Sequence, residues 1–399
     1  MNYDFSTIID RSGTYSMKWD VAEGELPMWV ADMEFQAAPE IRAAIAKRAE
    51  HGVFGYTVPP ETWYEAYIGW WRDRHDFSME REWLTFTTGV IPAISTAVRQ
   101  LTAPGEGVVV LSPVYNHFYV SIEDNQRRAV ESPLICEDGA YRVDFDDLES
   151  RLADKANRLL VFSNPHNPTG NLWDRETLAR VGALCDQYDV PVVADEIHCD
   201  LTDPGLAYVP FASVSEACAR RSITCIAPTK AFNIAGLQTA AICVPDQKLR
   251  RLMKKGLDLA DARMPGAFAI DAAIAAFTQG GPWLDALREY LYENKKAVKK
   301  FLKEHLPLIG VSDAPATYLM WLDFSRVSDD GGQLCRWIRQ ETGLYLSAGE
   351  IFRGDGPSHA RLNIACPREM LKDGLGRLAR GVETYRDCGY DQSCGGDKR

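Results

Sequence analysis

Short, unbroken apolar runs recur through the middle of the chain, separated by stretches with helical spacing. Residues 107–111 (GVVVL), 158–163 (RLLVFS), 190–195 (VPVVAD), 222–227 (SITCIA) and 239–244 (TAAICV) show almost no alternation of apolar and polar positions. Runs of this kind suit strands buried on both faces, as in a parallel sheet covered by helices. Between them, residues 174–188 place Leu178, Val181, Leu184 and Cys185 on one helical face. The pattern predicts a large α/β domain with a mostly parallel central sheet over residues 50–279. Two long helices are predicted next, at 248–262 and 282–305. The last third mixes strands at 317–324 (TYLMWLDF), 345–346 and 360–364 with a helix at 331–342, which predicts a smaller C-terminal α+β domain over 280–390. Residues 1–49 are expected to pack with that domain, and the polar, Gly-rich residues 391–399 to form a flexible tail.

Composition supports this division. A chain of 399 residues exceeds what one hydrophobic core serves, so two domains are expected. Hydrophobic content of 46% and charged content of 25% are those of a globular protein. A net charge of −12, with no basic block, argues against a nucleic-acid partner. No apolar run has the length of a membrane span, and the first residues (MNYDFSTIIDRSG) lack the basic-then-apolar order of a signal peptide, so a cytoplasmic protein is expected. The ten cysteines are scattered with no C-x-x-C pair, and several lie in strand-like runs. They read as reduced structural thiols, and no metal site is expected.

Three segments carry chemistry. In SITCIAPTKAFNIAGL (222–237), an apolar strand ends in a Pro-Thr turn that presents Lys230. The carboxyl edge of an α/β sheet is where such folds place ligands. A lysine there can form an imine with an aldehyde cofactor if its amine is partly unprotonated. A surface lysine following a strand would look the same. In VPVVADEIHCD (190–200) the run stays apolar until Asp195, whose carboxylate should emerge at the same edge. Beside a pyridine nitrogen such an anion keeps the ring protonated and electron-accepting; an Asp capping the following helix is the alternative. Glu196 and His198 are expected to orient the site or pack beside it. In SNPHNPTG (163–170), two Asn-Pro pairs impose extended or turn geometry and could present Asn167 as a fixed donor, although Asn-Pro turns also occur as plain loops.

The ordered set NPxNPTG, then a strand ending in DE, then a PTK turn resembles the fold-type I, pyridoxal-5′-phosphate (PLP) dependent enzymes of the aminotransferase class I/II family, over nearly the whole chain. The resemblance implies that Lys230 carries the cofactor as a Schiff base, that Asp195 pairs with the pyridinium, and that Asn167 holds the phenolic oxygen. It places Thr88 to Ile91 (TGVI) at the turn whose backbone holds the phosphate, with Gly89, Val90 and Ile91 as contacts and a helix beginning near Pro92. Thr229 is implied as a phosphate contact, His198 as a further cofactor contact, and Tyr115 of SPVY, rather than Tyr119, as the aromatic on the cofactor ring. Tyr56 in FGY matches a tyrosine that reaches the phosphate of the neighbouring subunit, which implies a homodimer with shared active sites; ordinary interface packing is the alternative. Arg361 in HARLNIACPRE matches the arginine that grips the substrate carboxylate, a buried structural ion pair being the other reading.

RSGTYSMKWD (11–20) followed by LPMWVADMEF (26–35), with DEIHCDL and KAFNIAGLQ, resembles the cystathionine β-lyases of the MalY/PatB type, also called cysteine-S-conjugate β-lyases. Ala31 in that segment is implied, with Asn167 and Arg361, on the substrate side. The chain departs from many aminotransferases at Gln238, where they have a phosphate-binding arginine, and at Ala227, where a serine is usual. The second departure puts one phosphate contact in doubt. The resemblance implies β-elimination from cystathionine or other S-substituted cysteines. An aminotransferase, which would use the same residues, and a regulatory binding protein on the same fold are the alternatives.

Overall fold

Seven strands pair into one central sheet, in the spatial order Leu84–Thr87, Ala240–Cys243, Ser222–Ile226, Val192–Asp195, Asn157–Ser163, Gly107–Ser112 and Arg128–Pro133. The computed structural model describes residues 3–388, so the expected tail at 391–399 lies outside the described residues. Ala240–Cys243 runs antiparallel to both its neighbours, and every other pairing is parallel. The carboxyl ends of Leu84–Thr87, Ser222–Ile226, Val192–Asp195, Asn157–Ser163 and Gly107–Ser112 therefore all leave the sheet at one edge. Asp195 lies in register with both Ser163 and Cys225 at that edge.

The unbroken apolar runs arise because both faces of this sheet are covered. Val108, Val110, Leu159, Val161, Val193 and Ile223 pack on one side with the helix Val90–Leu101, while Val109, Leu160, Phe162, Val192 and Ala194 pack on the other with Arg175–Gln187. The latter helix starts where expected because the Asp174 carboxylate accepts from the Thr177 N–H at 2.7 Å, a cap that contributes about 1 kcal/mol.

C-terminal to this, the strands Gly310–Val311, Leu319–Asp323, His359–Asn363 and Ser347–Ala348 form an antiparallel sheet in that order, flanked by Gly331–Thr342 and Arg368–Asp387. The single strand expected at 345–346 is instead two short ones, Leu344–Tyr345 and Ser347–Ala348. Leu344–Tyr345 pairs in parallel with Leu26–Pro27, which draws the N-terminal segment along this unit. The NPxNPTG loop meets it too. Gly170 has φ +74°, and a Cβ there would lie 2.4 Å from that of Ala314, so the turn needs glycine.

Among the described residues, seven helices escape the hydrophobic pattern: Pro39–His51, Glu61–His75, Asn116–Glu123, Phe145–Ala153, Glu216–Arg221, Ala269–Gln279 and Arg368–Asp387. The helix read as starting near Pro92 starts at Val90, because proline fits a first turn whose N–H groups need no helical partner. Eight cysteines between Cys136 and Cys366 are free thiols, and seven of these are buried. Among them, Cys199 lies near His75 and Asp200, where Trp70 Nε1 and His75 Nε2 both bond Asp200 Oδ1 at 2.9 Å, a buried hydrogen-bonded cluster beneath the sheet edge. No helix among the described residues is long and apolar enough to cross a membrane.

Candidate active site

The loops leaving the common sheet edge enclose a cavity of about 210 Å³ lined by Ala31, Thr88, Gly89, Val90, Ile91, Tyr115, Asn167, Asp195, His198, Thr229, Lys230 and Gln238, among others. Sequence positions from 31 to 238 thus converge on one space. Tyr119 is not part of it: the hydroxyl donates to the Phe352 carbonyl at 3.3 Å, and the Arg353 guanidinium covers the ring. Tyr56 is also outside, on the exposed segment between Pro39–His51 and Glu61–His75, with 98% of its surface open. Ala227 belongs to the apolar core beside Val90 and Ile94, not to the cavity.

The Lys230 amine donates to the Ala31 carbonyl at 2.7 Å. Burial, helped by the Arg361 charge, lowers its pKa to about 8, against the opposing pull of Asp32 and Asp195. A substantial share of amine is therefore neutral near physiological pH, as a nucleophile or base requires. Burial acts on Asp195 in the other direction and raises its pKa to about 7, since only the Ile197 N–H, at 3.1 Å, is recorded as a hydrogen-bond donor to it. Glu196 turns away from the cavity and accepts from Tyr208, Asn164 and the Phe211 N–H. The expectation that it packs beside the site is met by these bonds. His198 is buried, held neutral by a pKa lowered to about 3, and its Nδ1 has no partner.

Arg361 occupies the middle strand of the C-terminal sheet, between Trp321 and Ser347 in register. Its guanidinium is 5% exposed and donates to Asn167 Oδ1 and the Trp29 carbonyl, each at 3.1 Å. No carboxylate forms a salt bridge with it among the described residues, and its Nε is buried without a partner. The alternative of a structural ion pair is therefore ruled out.

These groups fit a pyridoxal phosphate. A buried carboxylate short of donors suits a pyridinium, and an unpartnered His198 Nδ1 and the Asn167 amide suit a phenolic oxygen. The start of Val90–Leu101 has no side-chain cap, so its free N–H groups suit a phosphate. Several site groups were not read from the sequence. Tyr318 donates to the Ala31 carbonyl at 3.0 Å, and Asn363 and Asn233 hold the same segment. Asn363 had a legible signal, being two residues from Arg361 on a strand and so on the same face.

The profile of the family described as aminotransferase class I and II matches residues 26–378. Cystathionine beta-lyase PatB of Bacillus subtilis is 42% identical over 385 residues, covering 95% of this chain and 99% of that one. Protein MalY of Escherichia coli is 31% identical, covering 96% of this chain and all of that one. The crystal structure of cystalysin from Treponema denticola, which contains pyridoxal 5′-phosphate, superposes with a TM-score of 0.93 at 33% identity, covering 96% of this chain and 100% of that one.

Proposed function

The chain belongs to the aminotransferase class I and II family, and on that premise we propose that it is a PLP-dependent carbon–sulfur β-lyase. It cleaves cystathionine or another S-substituted cysteine to a thiol, pyruvate and ammonia. The names borne by its relatives support this reading, and so does the matching fold of a PLP-containing structure. The observation that carries it is Arg361, a buried cation with no salt-bridge anion among the described residues, donating to Asn167, which lines the same cavity as a lysine with a depressed pKa.

Lys230 would bond the cofactor aldehyde, Asp195 would meet its ring nitrogen, and Asn167 with His198 its phenolic oxygen. Tyr115 would cover the ring face. The amides of Gly89, Val90 and Ile91, with the Thr88 and Thr229 hydroxyls, would hold the phosphate. When bound, the cofactor supplies an electron sink beside the substrate Cα. Arg361 grips the α-carboxylate, with Ala31 and Asn167 flanking it, and so fixes the directions of the Cα–H and Cβ–S bonds. The neutral amine of Lys230 takes the Cα proton. The Cβ–S bond then breaks and the electron pair leaves on sulfur as a thiolate, a good leaving group because thiols have a pKa near 8.5. The proton on Lys230 is available to that thiolate, and one water turns the three-carbon remainder into pyruvate and ammonia.

The same proposal includes a two-fold homodimer in which Tyr56 reaches the phosphate of the other copy. The near-complete exposure of Tyr56, with Val53, Phe54 and Val58 beside it, supports this. It also includes a large domain at 50–279 and a small one at 280–390; the pairing of Leu26–Pro27 with Leu344–Tyr345 supports packing of the N-terminal segment on the small one, whereas Pro39–His51 packs on Ala269–Gln279 of the large one, with Arg48 Nε donating to the Ala267 carbonyl at 3.3 Å. Eight free thiols between Cys136 and Cys366 favour the reducing cytoplasm. The test is product analysis: purified enzyme given cystathionine or an S-alkyl-cysteine should release thiol, pyruvate and ammonia with no added keto acid. Turnover that needs a keto acid and frees no thiol would make the protein an aminotransferase.

A further inference from the structure

The RSGTYSMKWD segment has no part in the chemistry above, yet it carries the most heavily bonded ions near the site. Residues 29–35 pass the cavity without helix or strand, and the carbonyls of residues 29 to 33 are all taken up by side chains. Trp29 O accepts from Arg361 at 3.1 Å and Ser347 at 2.9 Å, and Val30 O from Asn363 at 2.6 Å. Ala31 O accepts from Lys230 at 2.7 Å and Tyr318 at 3.0 Å. Asp32 O accepts from Asn363 at 2.6 Å and Lys18 at 3.1 Å, and Met33 O from Asn233 at 3.0 Å. The RSGTYSMKWD segment grips this strap through two cations that meet two of the strap's own carboxylates. Lys18 Nζ lies 2.6 Å from Glu34 and 3.3 Å from Asp32, while Arg11 lies 3.2 Å from Glu34 and 3.0 Å from Asp32. Trp19 Nε1 closes the group on Glu34 at 3.0 Å. Each cation meets both anions, and the Lys18 and Glu34 side chains are each only 2% exposed, so these ions are held by one another rather than by water.

We propose that the Arg11–Lys18–Asp32–Glu34 quartet is a positioning device for Lys230. It fixes the strap so that the Ala31 carbonyl holds the amine, and it sets two opposite charges, Asp32 and Lys18, within electrostatic reach of that amine. The other charged and titratable groups facing Lys230 are Arg361 from the C-terminal sheet, Tyr318 just before Leu319–Asp323, whose hydroxyl shares the Ala31 carbonyl, Asp195 at the end of Val192–Asp195, and His198 from the loop after it. None of these belongs to the quartet, so substitutions within it isolate its own effect. Asp32 favours the protonated amine and Lys18 the neutral one. Their removal should therefore displace the titration of Lys230 in opposite directions, which mere anchoring of the N-terminus would not do.

The proposal rests on Lys230 being the base. The experiment follows acylation of Lys230 by a small amine reagent across pH in the full-length protein freed of cofactor, read by peptide mass spectrometry. Asp32→Asn should move the midpoint down, and Lys18→Met should move it up, each by roughly 0.5–1 pH unit, the size of one charge–charge interaction at moderate range. The acid limb of kcat for the loaded enzyme should move the same way. Asp32→Asn, at a partly exposed side chain that leaves Lys18 and Arg11 paired with Glu34, carries the test alone if Lys18→Met does not fold. A midpoint within about 0.2 unit of the unsubstituted protein, whatever happens to rate or melting temperature, overturns the proposal. Lys230→Ala separates this from the failure of the catalytic reading: if that variant keeps turnover, Lys230 is not the base at all.

Discussion

Replacing Arg361 by methionine should nearly abolish substrate recognition without destabilising the free protein, a combination that an ordinary buried arginine would not give. The guanidinium is buried, and burial holds its pKa down to about 10, more than two units below the ordinary arginine value. At about 1.4 kcal/mol for each tenfold change, keeping it charged costs roughly 3 kcal/mol. Methionine has a similar length and removes that cost. It also strips Asn167 Oδ1 and the Trp29 carbonyl of a donor, at about 1–2 kcal/mol each. The two effects nearly cancel, so Arg361→Met should melt within about 3 °C of the parent when cofactor-free. Its loss of a charge-assisted grip on the substrate carboxylate is worth about 3–4 kcal/mol, or roughly 10²–10³-fold in kcat/KM, mostly through KM. Differential scanning calorimetry and steady-state kinetics on an S-alkyl-cysteine check both halves. A melting temperature lower by 8 °C or more (about 2–4 kcal/mol) would mean that the cation serves the fold. A loss in kcat/KM below about fivefold would remove it from substrate binding.

Asp195 offers a test through pH. Its pKa in the folded chain, about 7, exceeds the unfolded value near 4. The native state therefore keeps the proton longer, and cofactor-free stability falls as pH rises from about 4 to about 7, then levels. Asp195→Asn lacks that loss, so its melting temperature should overtake the parent's increasingly between pH 5 and pH 8, while its affinity for PLP drops; parallel melting curves across that range would contradict the buried-carboxylate account. Tyr56→Phe, at a side chain free of the fold, should leave the melting temperature of the cofactor-free protein unchanged but weaken PLP binding about tenfold in a species that sediments as a dimer. A fully active monomer would refute the shared site.

Much of the site was legible because parallel sheets write themselves plainly in sequence. Apolar runs such as 190–195 and 222–227 end where the sheet ends, so Asp195 at the end of the first and Lys230 just after the second could be assigned to one edge before any coordinates. Ala269–Gln279 stayed hidden for the converse reason. Ala269, Ile270, Ala272, Ala273, Ala275, Ala276 and Phe277 are all buried, leaving little polar face to give a helical period. Arg361 was visible but its surroundings were not. Its second acceptor is the backbone carbonyl of Trp29, and a carbonyl leaves no mark in a sequence. Tyr318, inside the apolar strand-like run TYLMWLDF, looked like core until its hydroxyl was seen on Ala31.

The strap at residues 29–33 also has a consequence for how the protein is made. Arg361 and Asn363, which hold its carbonyls, lie 332 and 333 residues further along the chain. At the usual pace of translation, those partners follow roughly 20–60 s later. For that interval the emerging segment carries Met28, Met33 and Phe35, all destined for burial, without the C-terminal partners that hold it. A ribosome-bound chain of this protein should therefore depend on chaperones that bind near the exit tunnel, and the active site should close only once His359–Asn363 has emerged.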